Sequence, residues 1–266
     1  MLGLPANNYG HAMARLLRRT ARKLLAGTRW GRARKSRDPF FVTKKLIKAP
    51  APLIFDVGAH VGETAARYRA LFPDALIHSF EPSPQSFERL SQAFSADSRV
   101  VPHNFAVSEK AGTATFRVNR ASVTNSLLES DRRGDDYWGT ELLDTDSEIS
   151  VQTVALDDFC RAQRIEHVDV LKIDVQGAEY AVLAGARGLL EKHAVDLIYL
   201  EMIMAPSYVG QRKYHYYLTL LDELGYELFD LFNLGRRDGR LIQSDGIFLT
   251  SEFLARYEAD MRQQRK

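Results

Sequence analysis

One cysteine, Cys160, in 266 residues excludes an internal disulfide and suits a reducing, cytoplasmic compartment. No apolar run approaches the roughly 18 residues that a membrane-spanning helix requires. There is no internal repeat, and no low-complexity tract outside the N-terminal arm. A complete G-x-G-x-x-G fingerprint is missing, which argues against a nicotinamide or flavin dinucleotide. No tight cluster of His, Cys and acids demands a metal ion. Acids are nearly absent from residues 1–48: 13 of the 36 Lys and Arg lie there beside one acid, Asp38. The rest of the chain holds 23 bases against 33 acids, so the net +2 conceals a basic arm on an acidic body. That acidity, and the lack of an N-P-P-Y-like tetrapeptide, argue against a nucleic acid partner.

What the chain does have is L-I-F-D-V-G-A-H-V-G at 53–62. Leu53–Phe55 reads as a buried strand, Asp56 follows at its end, and Gly58 and Gly62 lead into a helix over Glu63–Phe72. Strand, glycine turn and helix start together make a cofactor cradle, because glycine admits a close ligand and the helix start offers free N–H groups. His60 stands where a dinucleotide site has its second glycine. A small charged nucleoside such as S-adenosylmethionine fits better, with Asp56 and backbone groups matched to its amino acid end. A second strand, Leu76–Phe80, ends in Glu81, at the distance from the glycines where a doubly wound fold places the acid that binds ribose hydroxyls. Ser83-Pro84 then caps a helix over Pro84–Phe94. A third strand over Arg99–Phe105 leads to Ala106-Val107-Ser108, placed to wall an adenine or to form a plain turn.

Thr113–Val118 and Ile149–Val154 alternate as paired strands do and predict an added antiparallel ribbon. The long polar connection over Leu127–Glu148, with Tyr137 and Trp138, reads as a lid or substrate loop, or as a surface loop. Val168–Ile173 is a fourth strand ending in Asp174, followed by a helix over Ala178–Lys192, and Leu197–Leu200 is a fifth ending in Glu201. Acids at the carboxyl ends of central strands face the crevice where α/β sheets bind ligands. Lys213–Leu224 is a helix stopped by Gly225, and Tyr226–Leu231 with Gly246–Thr250 forms a hairpin around Gly235–Gly239. In the arm, His11–Leu25 predicts a basic amphipathic helix, and Trp30–Ala51 reads as a linker broken by prolines. Such a helix can lie on an anionic membrane surface, pack on its own domain, or guide a homodimer. The expected organisation is therefore an arm and linker at 1–50, a domain at 51–255 and a charged tail at 256–266.

The chain resembles the FkbM family of S-adenosylmethionine-dependent methyltransferases. The matching residues are D-V-G-A-H-V-G-E at 56–63, F-E-P at 80–82, A-V-S at 106–108, T-N-S-L at 124–127, L-D-D-F at 156–159, L-K-I-D-V-Q-G-A-E at 171–179 and L-E at 200–201. The resemblance implies a class I methyltransferase (Rossmann-like) sheet of seven strands with the last antiparallel. It also implies O-methylation of sugar, glycan or small-metabolite hydroxyls. Two positions depart from the pattern: His60 where Asn is common, and Gln176 where Glu is usual, which removes one charge.

Methyl transfer from a sulfonium is an in-line displacement, so positioning and exclusion of water supply much of the catalysis. An aliphatic hydroxyl is a weak nucleophile at neutral pH, and a nearby base assists it. Asp174 is the first candidate for that base, with Glu179, His60 and Glu201 as alternatives. Asp56, Gly58, His60, Gly62, Glu81, Ala106, Val107 and Asp174 are the candidate cofactor residues. Asn125, Ser126, Tyr137, Trp138 and Glu201 are the candidates for the acceptor. Tyr208, Tyr214, Tyr216 and Tyr217 with His215 either stack on a sugar or pack a helix. A nucleic acid methyltransferase that clamps its substrate with the arm, and a non-catalytic cofactor-binding scaffold, are the competing readings.

Overall fold

The computed structural model describes residues 38–139 and 141–263. The helix predicted at His11–Leu25, with the membrane-surface reading made on it, and the end of the charged tail lie outside them. The strands are β1 (Leu53–Val57), β2 (Leu76–Phe80), β3 (Val100–His103), β4 (Ala106–Val107), β5 (Gly112–Asn119), β6 (Thr145–Val154), β7 (Val168–Ile173), β8 (Val195–Ile203), β9 (Tyr226–Arg237) and β10 (Arg240–Thr250). Seven of them form one sheet in the order β3-β2-β1-β7-β8-β10-β9. β3, β2, β1, β7 and β8 pair in parallel, and β10 runs antiparallel to both β8 and β9. The reversed last strand is the one expected. β5 and β6 form the expected antiparallel ribbon, and β4 joins it in parallel to β6.

The central strands read as continuous apolar runs because both faces of the sheet are covered. Ile54, Ile77, Val170 and Leu197 point into one core, while Phe55, Val57, Leu171, Ile173 and Ile198 point into the other. The first core is closed by helices α1 (Pro39–Leu46) and α2 (Glu63–Leu71). The second is closed by α5 (Leu156–Gln163), α6 (Glu179–Gly185), α7 (Arg187–Glu191) and α8 (Tyr214–Glu223). α3 (Pro84–Ala93) starts as expected, with the Ser83 hydroxyl accepting the Ser86 N–H at 3.4 Å. α4 (Asp135–Trp138) is one short turn in the long connection, and α9 (Ser251–Gln263) continues from β10 through the boundary expected at 255.

Three expectations need correction. The stretch read as linker contains α1, whose Phe40 and Leu46 are buried in the core. Pro39 does not break this helix but opens it at the first position, where no N–H is needed, and Asp38 accepts the Phe40 N–H at 3.1 Å. The helix expected over Ala178–Lys192 is divided at Ala186 into α6 and α7. The last hairpin is longer than expected, and its turn is Asp238-Gly239 alone, both in left-handed conformation (φ 49° and 80°), as a tight two-residue hairpin requires.

Candidate active site

A cavity of about 420 Å³ opens at the carboxyl ends of β1, β2, β7 and β8, within the range of small-molecule sites. Its first half is the turn after β1. Gly58 and Ala59 donate their N–H groups to the Phe80 carbonyl at 3.1 and 3.0 Å, which ties this turn to the end of β2. Glu81, buried at the next position, accepts the His60 N–H at 2.8 Å and the Ser83 N–H at 2.9 Å. Burial pushes its carboxyl up to about 7, against the pull of those two hydrogen bonds. Phe80, Ala106 and Val107 give this half an apolar wall.

The second half has a charged floor. Lys172, on β7, is buried and lies 3.1 Å from Asp174 Oδ2 and 3.7 Å from Asp56 Oδ1. Gln176 donates its side-chain N–H groups to Asp174 Oδ1 at 2.9 Å and to Glu201 Oε2 at 2.7 Å. Gln243, from β10, donates to Glu201 Oε1 at 2.5 Å. Burial opposes the charge on Asp174, but the Lys172 ammonium and its hydrogen bonds outweigh it and hold this carboxyl below the usual range. Glu201 goes the other way: burial, then the neighbouring Asp174 charge, push it well above. The two neighbouring carboxyls are therefore pushed in opposite directions, Asp174 toward its charged form and Glu201 toward its protonated one. Trp138, Leu142 and Leu143 roof this half, and the Trp138 indole N–H donates to the Ser207 hydroxyl at 2.7 Å.

The Methyltransferase FkbM domain model matches residues 56–228 of the 266. The chain belongs to the FkbM methyltransferase family. It is 30% identical to the 2-O-methyltransferase NoeI of Sinorhizobium fredii, over 71% of this chain and 78% of that one. It is 24% identical to the hexuronic acid methyltransferase AglP of Haloferax volcanii, over 56% and 55% of the two chains. The 31-O-demethyl-FK506 methyltransferase FkbM of Streptomyces tacrolimicus is 31% identical over 51% of this chain and 60% of its own. The matches thus span just over half of the latter two relatives. The protein is accordingly a methyltransferase, and its sheet order is that of the class I methyltransferase fold.

In this FkbM-family methyltransferase the cavity brings together Gly58, His60, Glu81, Ala106, Val107, Asn125, Trp138, Asp174 and Glu201 from the sequence-based candidates. Other candidates do not line it. Asp56 is fully buried beneath the floor beside Lys172, and burial pushes its carboxyl up to about 6. Glu179 is buried in the turn after β7, where it accepts the Val175 and Gly177 N–H groups at 3.2 and 3.0 Å; it organises the turn and cannot reach an acceptor. Gly62 faces α3, not the cavity. Ser126 is buried and donates its hydroxyl to the Gln176 carbonyl at 2.7 Å, tying the start of the long connection to the loop after β7. Of the tyrosines, Tyr208 lines the cavity, Tyr217 packs in the core, and Tyr214 and Tyr216 are exposed on α8.

Tyr137 does not line the cavity and is held by the hairpin instead. Its hydroxyl receives the Arg240 guanidinium at 2.5 Å, and that guanidinium lies 5.1 Å from its ring centroid. The β9–β10 hairpin thus grips the segment that carries Trp138. Because the pair is exposed, Arg240→Ala should cost under about 1 kcal/mol of global stability. Amide exchange over residues 131–139 should nevertheless speed up; unchanged exchange there would mean that the grip is idle.

Sequence reasoning missed Lys172 and Gln243, and it noted Gln176 only as a departure from the family pattern. A signal existed for the first: a lysine inside a buried strand, two residues before an acid, shares its face and needs that partner. His60 has a left-handed backbone (φ 49°), a conformation that Asn, Asp and His adopt most readily among side-chain-bearing residues, so its exchange with Asn is conformationally natural. Its Nε2 lies 2.9 Å from the Ser122 hydroxyl, and burial holds the imidazole below its usual pKa.

Proposed function

We propose that this methyltransferase uses S-adenosylmethionine to methylate a hydroxyl of a sugar, glycan or small metabolite, with Asp174 as the base. The observation that carries this reading is the position of Asp174, a carboxylate on the cavity floor between Lys172 and Gln176. The residues present fit the cofactor. Glu81 keeps lone pairs for a ribose diol, the Phe80, Ala106 and Val107 wall suits an adenine, and an acidic floor suits a cation. When bound, S-adenosylmethionine supplies an electrophilic methyl on a sulfonium that departs as a neutral thioether. Asp174 accepts the proton that the acceptor hydroxyl loses as its oxygen bonds to the methyl carbon. Lys172 keeps Asp174 ionised until then, and the Trp138 roof excludes water. Asn125 lines the cavity, and its amide oxygen is taken by the Asn119 N–H at 2.8 Å, which leaves its amide N–H groups for the acceptor. One relative bears an O-methyltransferase name, another is named for a 31-O-demethyl substrate and a third for hexuronic acid, which supports an oxygen acceptor and a sugar.

The test is transfer of a deuterated methyl from labelled S-adenosylmethionine into a mixed glycoside and metabolite extract, read by mass spectrometry. Label in a hydroxyl of an acceptor supports the reading, and label found only on nitrogen or carbon overturns it. For the cofactor half, Glu81→Gln should weaken binding by about 1.5–3 kcal/mol, the range for hydrogen bonds to a charged group. Because Glu81 titrates at about 7 and binds the diol best as carboxylate, wild-type affinity should tighten as pH rises through 7. Calorimetry of Glu81→Gln should show that pH dependence flattened; an equally steep dependence would assign it to another group.

A further inference from the structure

We propose that Gln176 is a positioning residue, an amide wedge that holds Asp174 and Glu201 side by side so that Asp174 alone faces the acceptor as the base. This rests on the reading of Asp174 given above. Gln176 has a left-handed backbone (φ 55°), strained for a residue with a side chain, and Gly177 follows with φ 97°. A side chain at Gly177 would meet the Tyr208 ring at 2.7 Å, so the turn is pressed against that tyrosine. The strain has a product: it aims one amide between two acids. The same nitrogen is 2.9 Å from Asp174 Oδ1 and 2.7 Å from Glu201 Oε2.

The orientation of the amide follows from the acids it faces, which call for the nitrogen, and its oxygen shares the one Tyr208 hydroxyl proton, at 3.2 Å, with the Thr124 carbonyl at 3.0 Å. Its backbone carbonyl accepts from Ser126, so neither end of the residue can swing away. The remaining carboxyl oxygens are held as well, Asp174 Oδ2 by Lys172 and Glu201 Oε1 by Gln243. The charged and titratable groups facing the pair are Lys172 from β7, Asp56 from β1, His60 from the turn after β1, Glu179 from α6, Asp245 from β10 and Tyr208. Lys172 is the cation among them, and it contacts Asp174, not Glu201. Two carboxyls so close that one amide reaches both cannot comfortably ionise together. Asp174 and Glu201 also hydrogen-bond each other, and the wedge holds the pair in the register where the shared proton favours Glu201 and the charge Asp174.

The experiment is a ¹³C NMR titration of the Asp174 and Glu201 carboxyls in the full-length protein, together with S-adenosylmethionine affinity and the pH profile of methyl transfer. Gln176→Leu removes the donors, and Gln176→Glu keeps the shape while adding a third acid, so one of the two reports even if the other folds poorly. Both should raise the apparent pKa of Asp174, the glutamate more, and move the acid limb of transfer to higher pH by the same amount. Cofactor affinity should stay within about threefold. Gln176→Asn should restore part of the wild-type titration. A pair that titrates as in wild type in both variants, or a fall in transfer matched by cofactor affinity, would overturn the proposal. Should Asp174→Asn leave transfer intact, the base assignment fails, while the NMR titration still decides what Gln176 does to the pair.

Discussion

Replacing Asp174 with Asn should slow methyl transfer by about 10²–10⁴-fold, the usual worth of a positioned general base, while S-adenosylmethionine still binds. The substitution preserves shape and the hydrogen bond from Gln176, so the floor should not collapse. Lys172 loses its nearest partner and keeps Asp56 at 3.7 Å. The pH profile should then change in a telling way. Burial and the Asp174 charge both disfavour the Glu201 carboxylate in the wild type and push this group well above its usual range. With Asp174 neutral, the second of these causes disappears and Glu201 should ionise at lower pH than before. Residual transfer in Asp174→Asn should therefore increase with pH as Glu201 loses its proton, and adding Glu201→Gln should remove that increase. Single-turnover rates with calorimetric cofactor affinities measure both effects. If affinity and rate fall together, Asp174 is a cofactor ligand and the base lies elsewhere.

The acids of this site were legible because each ends an apolar run. Asp174, Glu201 and Glu81 sit where a buried strand meets the crevice, and hydrophobic periodicity alone places that boundary. Glu179 carried the same outward signs and is structural, since a carboxylate after a strand serves equally to bind turn N–H groups, as it does for Val175 and Gly177. Only the direction of its side chain decides, and the sequence does not encode that locally. Gln243 was illegible for another reason. It reaches Glu201 across 42 residues through the pairing of β10 with β8, a register that no local pattern near either residue announces. Tyr137 and Trp138 are neighbours in one short helix, yet one faces the cavity and the other an arginine of the hairpin. In α1, the proline that looked like a stop is a start, and the buried Phe40 shows which reading is right.

Gly58→Ala should lower stability by more than about 4 kcal/mol, a loss reserved for the most constrained positions. Sequence reasoning gives Gly58 to the cofactor, as room for a close ligand. The geometry gives it first to the chain itself. A Cβ at Gly58 would lie 1.8 Å from the Asp174 carbonyl oxygen, which is backbone and cannot rotate away. The φ of 83° adds a conformation that a side chain disfavours. Asp174 N–H in turn donates to the Val57 carbonyl at 3.0 Å, so the loops after β1 and β7 are bonded at the point where the Cβ would intrude. Relief would require separating those loops, and they hold the glycine turn on one side and Asp174 on the other. Gly62 provides the contrast. Its φ is 88°, but the atoms a Cβ would meet are the Phe94 ring at 2.5 Å and the Leu90 side chain at 2.8 Å. These can shift, so Gly62→Ala should cost about 1–3 kcal/mol, as overpacking usually does. Urea denaturation of the two variants measures the difference. A Gly58→Ala protein with wild-type stability and no cofactor affinity would return the glycine to the ligand and sink the backbone argument. The expected result is a protein mostly unfolded at temperatures where Gly62→Ala remains folded, because a stability of roughly 5–15 kcal/mol leaves little margin for a clash between two main chains.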